Sequence, residues 1–390
     1  MSTTNSTNIL ELKLGGATLQ TFRRISNIAP MCDIYFTNYG CIYMQAMNDC
    51  LWIKISNLND YVCNVEKIQI LVDMRLLKHN LEMCADNSTI LMYMKIDTDN
   101  KIFLKYTDKF GGQIDCELNC YDTKIDIPCY STGSKTLKIK TNHTAVLAEL
   151  FGLLSKSLYQ FDLCFADNKL LLSELTTDRS VLFKLNLDGC NFECFRCDTE
   201  LKLSIDATTL CKSLKIIDDM DNLSMCVFRS NNNFLYLNTT NQCGVKISMQ
   251  ISLMVPEYKK MPVPETEFQN KITMSADKFY NICKHLNNNS TFVEITSIND
   301  EILFRGQNEG GKVTMSYRDT NYRFDKINTQ NTTNTQLYEI RPILDISRTY
   351  KLFSTVEIYL KDNFPLVTVV DVGTLGKMYV FISPIENPGH

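Results

Sequence analysis

The chain repeats one pattern three times, at a spacing of about 130 residues. Each repeat opens with a predicted strand and an amphipathic helix. A strand hairpin follows, marked by a turn signal such as Asn38-Tyr39-Gly40, and then a second short helix and more strands. Solenoid repeats have periods of about 20–50 residues, so a repeat of this length indicates duplicated domains. The sequence therefore predicts an α+β chain of three related domains.

The domain boundaries are predicted near residues 121–135 and 254–270. The second boundary contains three prolines in VPEYKKMPVPETEF, which is typical of an extended connector. The predicted domains are residues 1–130, 131–262 and 263–390. Each contains two predicted helices, which are Ala17–Ala29 and Asp73–Met83, Thr144–Leu158 and Asp206–Ile217, and Ala276–Leu286 and Arg341–Tyr350.

The net charge is −4, yet every predicted helix carries cations away from its apolar stripe. Lys212 and Lys215, for example, lie opposite Leu210. Such residues often do no more than solvate a helix, and Glu149 shares a face with Lys156. Recurrence on six helices of an acidic chain nevertheless favours contact with nucleic-acid phosphates without base reading. The candidate DNA-facing residues are Arg23, Arg24, Arg75, Lys78, Lys156, Lys212, Lys215, Lys278, Lys284, Arg341 and Arg348.

An enzyme is one alternative, but the sequence offers little chemistry for it. None of the four histidines lies in a nucleophile or metal motif, and no phosphate-binding loop or dinucleotide glycine pattern occurs. Cys194 and Cys197 form the one C-x-x-C, and on a strand their side chains would point to opposite faces. Asp218, Asp219 and Asp221 follow a helix, as in a solvated turn. We therefore expect no catalytic residue, no metal and no cofactor.

Several segments of the last two repeats point to one family. They are FECFRCD (Phe192–Asp198), TLCKSLKII, MPVPETEF (Met261–Phe268), KFYNICKHL (Lys278–Leu286) and the closing strands LFSTVEIYL, FPLVTVV and FISPIE. Residues 136–386 thereby resemble the proliferating cell nuclear antigen family of sliding clamps. FECFRCD is similar to the family's F-x-x-Y-R-C-D, MPVPETEF to its interdomain connector, and FISPIE to its A-P-K-I-E tail.

The resemblance implies a fold and a function. The fold would be the DNA clamp: two-layer domains with outer antiparallel sheets and two inner helices each, placed around a ring. The function would be that of a non-enzymatic processivity factor that encircles double-stranded DNA, independently of its sequence, and tethers DNA polymerase. Further partners would be other replication proteins with clamp-binding peptides, and a clamp loader.

The resemblance also implies an apolar pocket for partner peptides. Carried over by position, its walls would be Leu175, Met261, Val263, Pro264, Phe268, Pro365, Ile382 and Pro384. Ser180 stands where the family often has an apolar residue, so the floor of this pocket is expected to differ.

Assembly stays open at this point, because the family chain has two domains and this chain has an extra unit, residues 1–130. If that unit is a third clamp domain within a ring, two copies complete the ring as a homodimer, which we favour. A trimer with the extra domain outside the ring is another possibility. A clamp-fold protein that forms no ring, acting as a monomeric processivity factor or a transcription factor, is the alternative function.

The expected location is intracellular, at a site of DNA replication: the nucleus, or a cytoplasmic replication site if the source is a large DNA virus. No basic-then-apolar segment opens the chain, and no stretch of about 18 apolar residues occurs. In a reducing compartment most of the 16 cysteines would be small buried apolar residues.

Overall fold

The computed structural model contains two compact units. Unit 1 comprises residues 1–148, 193–198 and 208–254, and unit 2 comprises residues 149–192, 199–207 and 255–390. The second predicted domain contributes to both units, so the boundaries at 130 and 262 remain predictions. The structure describes residues 8–48, 50–96, 100–124, 126–128, 130–219, 221–256, 268, 270–298, 301–308, 311–317, 334–350, 352–361 and 364–385.

The first repeat lies in unit 1 and has ten strands and two helices within its described residues. Its strands are β1 (Asn8–Leu14), β2 (Met31–Thr37), β3 (Cys41–Ala46), β4 (Leu51–Ser56), β5 (Tyr61–Cys63), β6 (Lys67–Asp73), β7 (Ile90–Lys95), β8 (Lys101–Thr107), β9 (Gln113–Asn119) and β10 (Tyr121–Asp122). Helices α1 (Gly16–Ile25) and α2 (Met74–Met83) pack against each other. The Asp73 carboxylate caps α2 by accepting a hydrogen bond from the Arg75 backbone N–H.

The second repeat follows the same order. Its strands are β11 (Lys135–Thr141), β12 (Gln160–Ala166), β13 (Lys169–Leu175), β14 (Val181–Asp188), β15 (Cys194–Cys197), β16 (Leu201–Asp206), β17 (Leu223–Phe228), β18 (Asn231–Thr240) and β19 (Lys246–Ser252). Its helices are α3 (Thr144–Ser157) and α4 (Ala207–Ile216). In α4, Leu210 and Leu214 are buried while Lys215 is exposed, as the helical period predicts.

The third repeat lies in unit 2. Its strands are β20 (Asn270–Ser275), β21 (Phe292–Ile298), β22 (Glu301–Asn308), β23 (Gly311–Tyr317), β24 (Asn334–Glu339), β25 (Thr355–Leu360), β26 (Leu366–Val372) and β27 (Gly376–Ile382). Helices α5 (Ala276–Asn287) and α6 (Ile340–Ser347) pack against each other. Pro342 lies in the first turn of α6, where its missing N–H costs no helical hydrogen bond.

Among the described residues all strand pairing is antiparallel, and each unit has two sheets. Unit 1 has a five-stranded sheet, ordered β5-β1-β7-β8-β9, and a ten-stranded sheet, ordered β10-β6-β2-β3-β4-β19-β18-β17-β11-β15. Unit 2 has an eight-stranded sheet, ordered β16-β12-β13-β14-β27-β26-β25-β20, and a four-stranded sheet, ordered β23-β22-β21-β24. Antiparallel sheets with six helices give the α+β clamp-like fold that the resemblance implies.

Two strand pairs join successive repeats in the same way. In the ten-stranded sheet β4 pairs with β19, and in the eight-stranded sheet β14 pairs with β27. In both pairs the first residue of one strand faces the last core-facing residue of the other: Leu51 faces Ile251, and Val181 faces Ile382. These four side chains are at most 3% exposed, so both junctions are continuous with the core.

The six predicted helices are confirmed, with differences at their ends. The predicted first helix ran to Ala29, but α1 ends at Ile25 because the Ser26 hydroxyl and Asn27 amide both donate to the Arg23 carbonyl. The predicted last helix ran to Tyr350, but α6 ends at Ser347, and a turn follows. Among the described residues, no helix combines the length and the apolar character needed to cross a membrane.

Candidate functional site

Three of the candidate DNA-facing lysines are both exposed and outside any ion pair among the described residues. They are Lys156 on α3, Lys215 on α4 and Lys284 on α5. The Lys284 ammonium lies 5.9 Å from the centre of the Tyr280 ring, which leaves its N–H groups available. These side chains can reach a phosphate without breaking an existing salt bridge.

Arg23 has a structural role instead. Its guanidinium donates to the carbonyls of Leu81 at 2.7 Å and Cys84 at 2.8 Å, and to the Asp86 carboxylate at 2.7 Å. Its side chain is only 13% exposed. Arg23 therefore ties α1 to the carboxyl end of α2, whose last carbonyls need donors, and is not available to DNA. This corrects the interpretation of Arg23 as DNA-facing.

Arg24 and Lys212 are partly engaged within unit 1. Arg24 forms a half-exposed ion pair with Asp218, and the Lys212 ammonium donates to the Ile28 carbonyl at 2.8 Å. Both contacts join the α1 region to the α4 region. Each side chain keeps some solvent contact, so a phosphate contact would have to compete with these partners.

The other candidate cations lie beside acceptors on or near their own helices. Arg75 contacts Asp73 at 2.6 Å and lowers the pKa of that carboxyl to about 2, and Lys78 lies 3.6 Å from Glu82. On α6, Arg341 and Arg348 share a face because both contact Asp345, at 3.1 Å and 2.7 Å. Lys278 is exposed, and its ammonium donates to the Tyr317 hydroxyl at 2.6 Å.

The acidic partners change the electrostatics of these helix faces. Asp218 and Asp86 lie far along the chain from their arginines, so sequence reasoning missed them. Asp345 could have been found, since it lies four residues after Arg341 and three before Arg348, the spacings at which helical side chains meet. Ion pairs with an exposed partner are weak in water, so Arg341 and Arg348, whose side chains are 64% and 40% exposed, can still exchange Asp345 for a phosphate.

A continuous apolar row crosses five strands of the eight-stranded sheet in unit 2. Directly paired residues of antiparallel strands share a face of the sheet. The register pairs Leu175 with Leu182, Leu182 with Phe381, Phe381 with Val367, and Val367 with Tyr359. Val367 is 3% exposed and the other four are half-buried, so apolar surface on this row is accessible. We call these five residues the unit 2 row.

The unit 2 row corrects the peptide pocket at one position. Ile382, assigned to the pocket by position, is 1% exposed and faces the core, opposite Val181 and Leu366. Successive side chains of a strand point to opposite faces, so its neighbour Phe381 is the one on the accessible face. Phe381 is therefore the candidate wall residue on β27, one position before the residue assigned by positional transfer.

The remaining pocket candidates are placed as follows. Leu175 belongs to the unit 2 row, and Pro365 is half-buried and Pro384 exposed. The Phe268 ring packs against Tyr359, with centroids 5.2 Å apart, and so adjoins the end of the row. Met261, Val263 and Pro264 lie outside the described residues.

A polar cavity of about 360 Å³ adjoins Leu175. Its lining includes Tyr159, Gln160, Asp162, Glu174 and Arg179. Asp162 is held by a 2.6 Å ion pair with Lys202. Nearby, the Ser180 hydroxyl donates to the Asp178 carboxylate, so Ser180 adds a polar group where the family often has an apolar one. This combination suits the polar flank of a peptide whose apolar side chains lie on the row.

The cysteines and acidic residues of the described part of the chain form no metal site. No group of three or more His, Cys, Asp or Glu side chains there has the geometry to hold an ion. Cys194 and Cys197 lie on β15, as predicted, three residues apart on one strand. Of the cysteines in the described ranges, only Cys190 and Cys243 are exposed.

Comparison with known proteins gives matches over the last two repeats. Residues 136–258 match the sequence model of the proliferating cell nuclear antigen N-terminal domain, and residues 262–385 that of its C-terminal domain. Residues 1–135 lie outside these two matches. The chain is 49% identical over 217 residues to a probable DNA polymerase sliding clamp of Acanthamoeba polyphaga mimivirus. That alignment covers 55% of this chain and 46% of the relative, so the chain spans about half the relative's length.

Two more distant similarities agree with these matches. A probable DNA polymerase sliding clamp 1 of Paramecium bursaria Chlorella virus 1 is 22% identical over 264 residues, covering 63% of this chain and 96% of the relative. The crystal structure of proliferating cellular nuclear antigen from Entamoeba histolytica superimposes with a TM-score of 0.59 at 17% identity, covering 65% of this chain and all of that one. Since the two matched family domains together span more than half of the residues, the chain belongs to the proliferating cell nuclear antigen family of sliding clamps.

Proposed function

We propose that this chain is a DNA polymerase processivity factor that closes as a ring of two copies around double-stranded DNA. The observation that carries the proposal is a pair of complementary strand edges, β9 in unit 1 and β23 in unit 2. Within the described residues, each ends its sheet with one side unpaired. An unpaired edge exposes backbone donors and acceptors and favours pairing with another chain.

The two free edges have the same place in their repeats as the strands of the two junctions. β9 has the place in the first repeat that β19 and β27 have in the second and third, and β23 corresponds to β4 and β14. Pairing β9 of one copy with β23 of another would therefore repeat a contact that the chain already makes twice. If β9 of each copy pairs with β23 of the other, the two contacts close a dimer that has three repeats from each copy.

Side-chain chemistry supports this pairing. Ile114 and Cys116 on β9, and Val313 and Met315 on β23, are half-buried on the core-facing side of their strands. With the junction register, the first residue of β23, Gly311, faces Leu118, the last core-facing residue of β9. Lys312 then lies opposite Glu117. The proposed contact continues the apolar core and pairs opposite charges.

The helices would supply the contact with DNA in this proposal. Exposed lysines on α3, α4 and α5, with the exchangeable arginines of α6, suit phosphate contact that carries no sequence information. A topological link lets each contact be weak, so the protein can slide. The unit 2 row would hold the apolar side chains of peptides from polymerase and other replication proteins. A clamp loader would open the ring, and the site of action would be where DNA is replicated inside the cell.

The test of encirclement is retention on closed DNA. Protein loaded onto a nicked circular plasmid should stay bound in high salt after gel filtration, and should leave when a restriction enzyme linearises the plasmid. Equal retention on circular and linear DNA would contradict a ring and favour the monomeric alternative.

Removing the exposed helix lysines should weaken the binding of DNA. We expect the triple variant Lys156→Ala, Lys215→Ala and Lys284→Ala to reduce the slope of log K against log salt by about 0.9 for each phosphate that a replaced lysine neutralises in the parent. A matched control replaces three exposed lysines on strands, Lys13, Lys184 and Lys246. Fluorescence anisotropy with duplex DNA at several salt concentrations measures the slopes, and equal slopes for the two triple variants would contradict a role for these helix faces.

A further inference from the structure

The ten-stranded sheet of unit 1 carries a row equivalent to the unit 2 row. The equivalence is fixed by the junction pairs, Leu51 with Ile251 and Val181 with Ile382. One position further along each strand, Trp52 faces Gln250 in unit 1 where Leu182 faces Phe381 in unit 2. The unit 1 row, completed by the same pairing, comprises Gln45, Trp52, Gln250, Tyr236 and Cys226.

The two rows differ in exposure. In unit 1, Trp52 is 7% exposed, Gln250 is 2% exposed and Cys226 is fully buried, whereas the equivalent Leu182, Phe381 and Tyr359 of unit 2 are half-buried. The other two positions agree between the rows. Something must therefore cover the unit 1 row on the face opposite the core.

The cover includes described residues of the segment between the first and second repeats, residues 123–134, which we call the first connector. Its Tyr130 ring lies 6.4 Å from that of Tyr236 and 6.0 Å from that of Tyr43. The Lys54 ammonium lies 5.6 Å from the centre of the same ring. The Tyr236 hydroxyl and the Ser131 hydroxyl lie 3.2 Å apart, within hydrogen-bonding distance.

The first connector must be nearly extended to reach across the sheet. It begins after β10 and ends at β11, and seven strands lie between these two in the sheet. At about 4.8 Å per strand the distance across the sheet is about 38 Å. The twelve residues of the connector reach at most about 45 Å when extended, so the segment crosses the sheet with little slack. Thr123 anchors its start through a hydrogen bond to the Asp33 carboxylate.

Two buried polar atoms indicate that the cover excludes water. The Tyr130 hydroxyl and the Gln250 Oε1 are buried and have no hydrogen-bond partner within the described residues. Burial also raises the pKa of the Tyr130 phenol. A row that were open to solvent or to a polar peptide would satisfy such groups.

From these contacts we infer that Tyr130 and the first connector occupy, within the chain, the surface that a partner peptide would take in unit 2, so that each copy binds one such peptide. This inference rests on the proposed peptide site in unit 2. Of the two equivalent rows among the described residues, the unit 2 row is the one that keeps accessible apolar surface for a partner. A two-copy ring would then bind two partner peptides, one on each copy.

The chain contains its own reporter for this inference, because Trp52 in the unit 1 row is its only tryptophan. Indole emission moves to longer wavelength when water reaches the ring. Tyr130 lies beside Lys54, whose side chain is on the same face of β4 as Trp52. Tyr130→Ala should therefore shift the Trp52 emission in that direction, whereas Tyr130→Phe keeps the ring and should leave the emission unchanged. Unchanged emission in Tyr130→Ala would overturn the inference, since Tyr130 would then not cover the row.

Peptide titration tests the stoichiometry. The probe is a tryptophan-free peptide selected by phage display for binding to the intact protein, titrated by calorimetry and by Trp52 fluorescence. We expect one peptide per chain, loss of binding in Phe381→Ala, and no change in Trp52 emission. Two peptides per chain, or a change in Trp52 emission on binding, would overturn the inference. One peptide per chain that still binds Phe381→Ala and leaves Trp52 unaffected would contradict the proposed unit 2 site instead.

Discussion

Replacing Met315 with aspartate should convert the proposed dimer into monomers. Met315 is half-buried on the core-facing side of β23, the edge that is proposed to pair with β9 of the other copy. In the dimer a carboxylate there would be buried without a partner, which typically costs several kcal/mol and would raise the dimer dissociation constant by about 100-fold or more. Light scattering should give about 90 kDa for the parent, twice the 44.8 kDa chain, and about 45 kDa for the variant.

Three further variants make this result specific to the β23 edge. Thr314→Asp adds the same charge at the adjacent, exposed position, so it should leave the dimer largely intact. Lys312→Glu should weaken the dimer, and Glu117→Lys in the same chain should restore part of the affinity, because the register places these side chains opposite each other. A parent mass near three times the chain mass would contradict the dimer and would place residues 1–130 outside a trimeric ring.

Phe381→Ala and Ile382→Ala replace adjacent residues but should affect different properties: the first should lower peptide affinity, and the second the stability of the fold. Phe381 lies on the accessible face of β27, so its truncation should weaken peptide binding by about 2 kcal/mol, or about 30-fold, with little change in the free energy of unfolding. Ile382 is 1% exposed, so truncating it creates a cavity and should lower the free energy of unfolding by about 2–5 kcal/mol.

The two measurements for this pair are independent of each other. Urea denaturation followed by circular dichroism gives the free energy of unfolding, and calorimetric titration of a clamp-binding peptide gives the affinity. If Phe381→Ala destabilised the fold as much as Ile382→Ala, the face assignment of β27 would be incorrect. Unchanged peptide affinity in a folded Phe381→Ala protein would move the partner site away from the unit 2 row.

Ion pairs and hydrogen bonds distinguish the candidate cations that stay exposed from those held within the fold. The helical period predicted correctly that Lys215 and Lys284 point away from the apolar stripe. It could not reveal that Arg23 would be held by the carboxyl end of α2, because those acceptors lie about 60 residues further along the chain. A basic residue on a polar helix face is therefore a candidate for phosphate contact only after its acceptors are known.

The sequence by itself determined the repeated order of strands and helices, the apolar stripes of the helices and the family. These features depend on periods of 3.6 and 2 residues and on short motifs, so residues close together in the sequence are enough to predict them. Only the tertiary structure decided that β4 meets β19 and β14 meets β27, that Phe381 instead of Ile382 lies on the accessible face, and that Tyr130 covers the unit 1 row. The physical reason is that strand register and side-chain cover join residues far apart in the sequence. One residue of shift in that register moves a side chain to the other face of the sheet, and no local pattern fixes it.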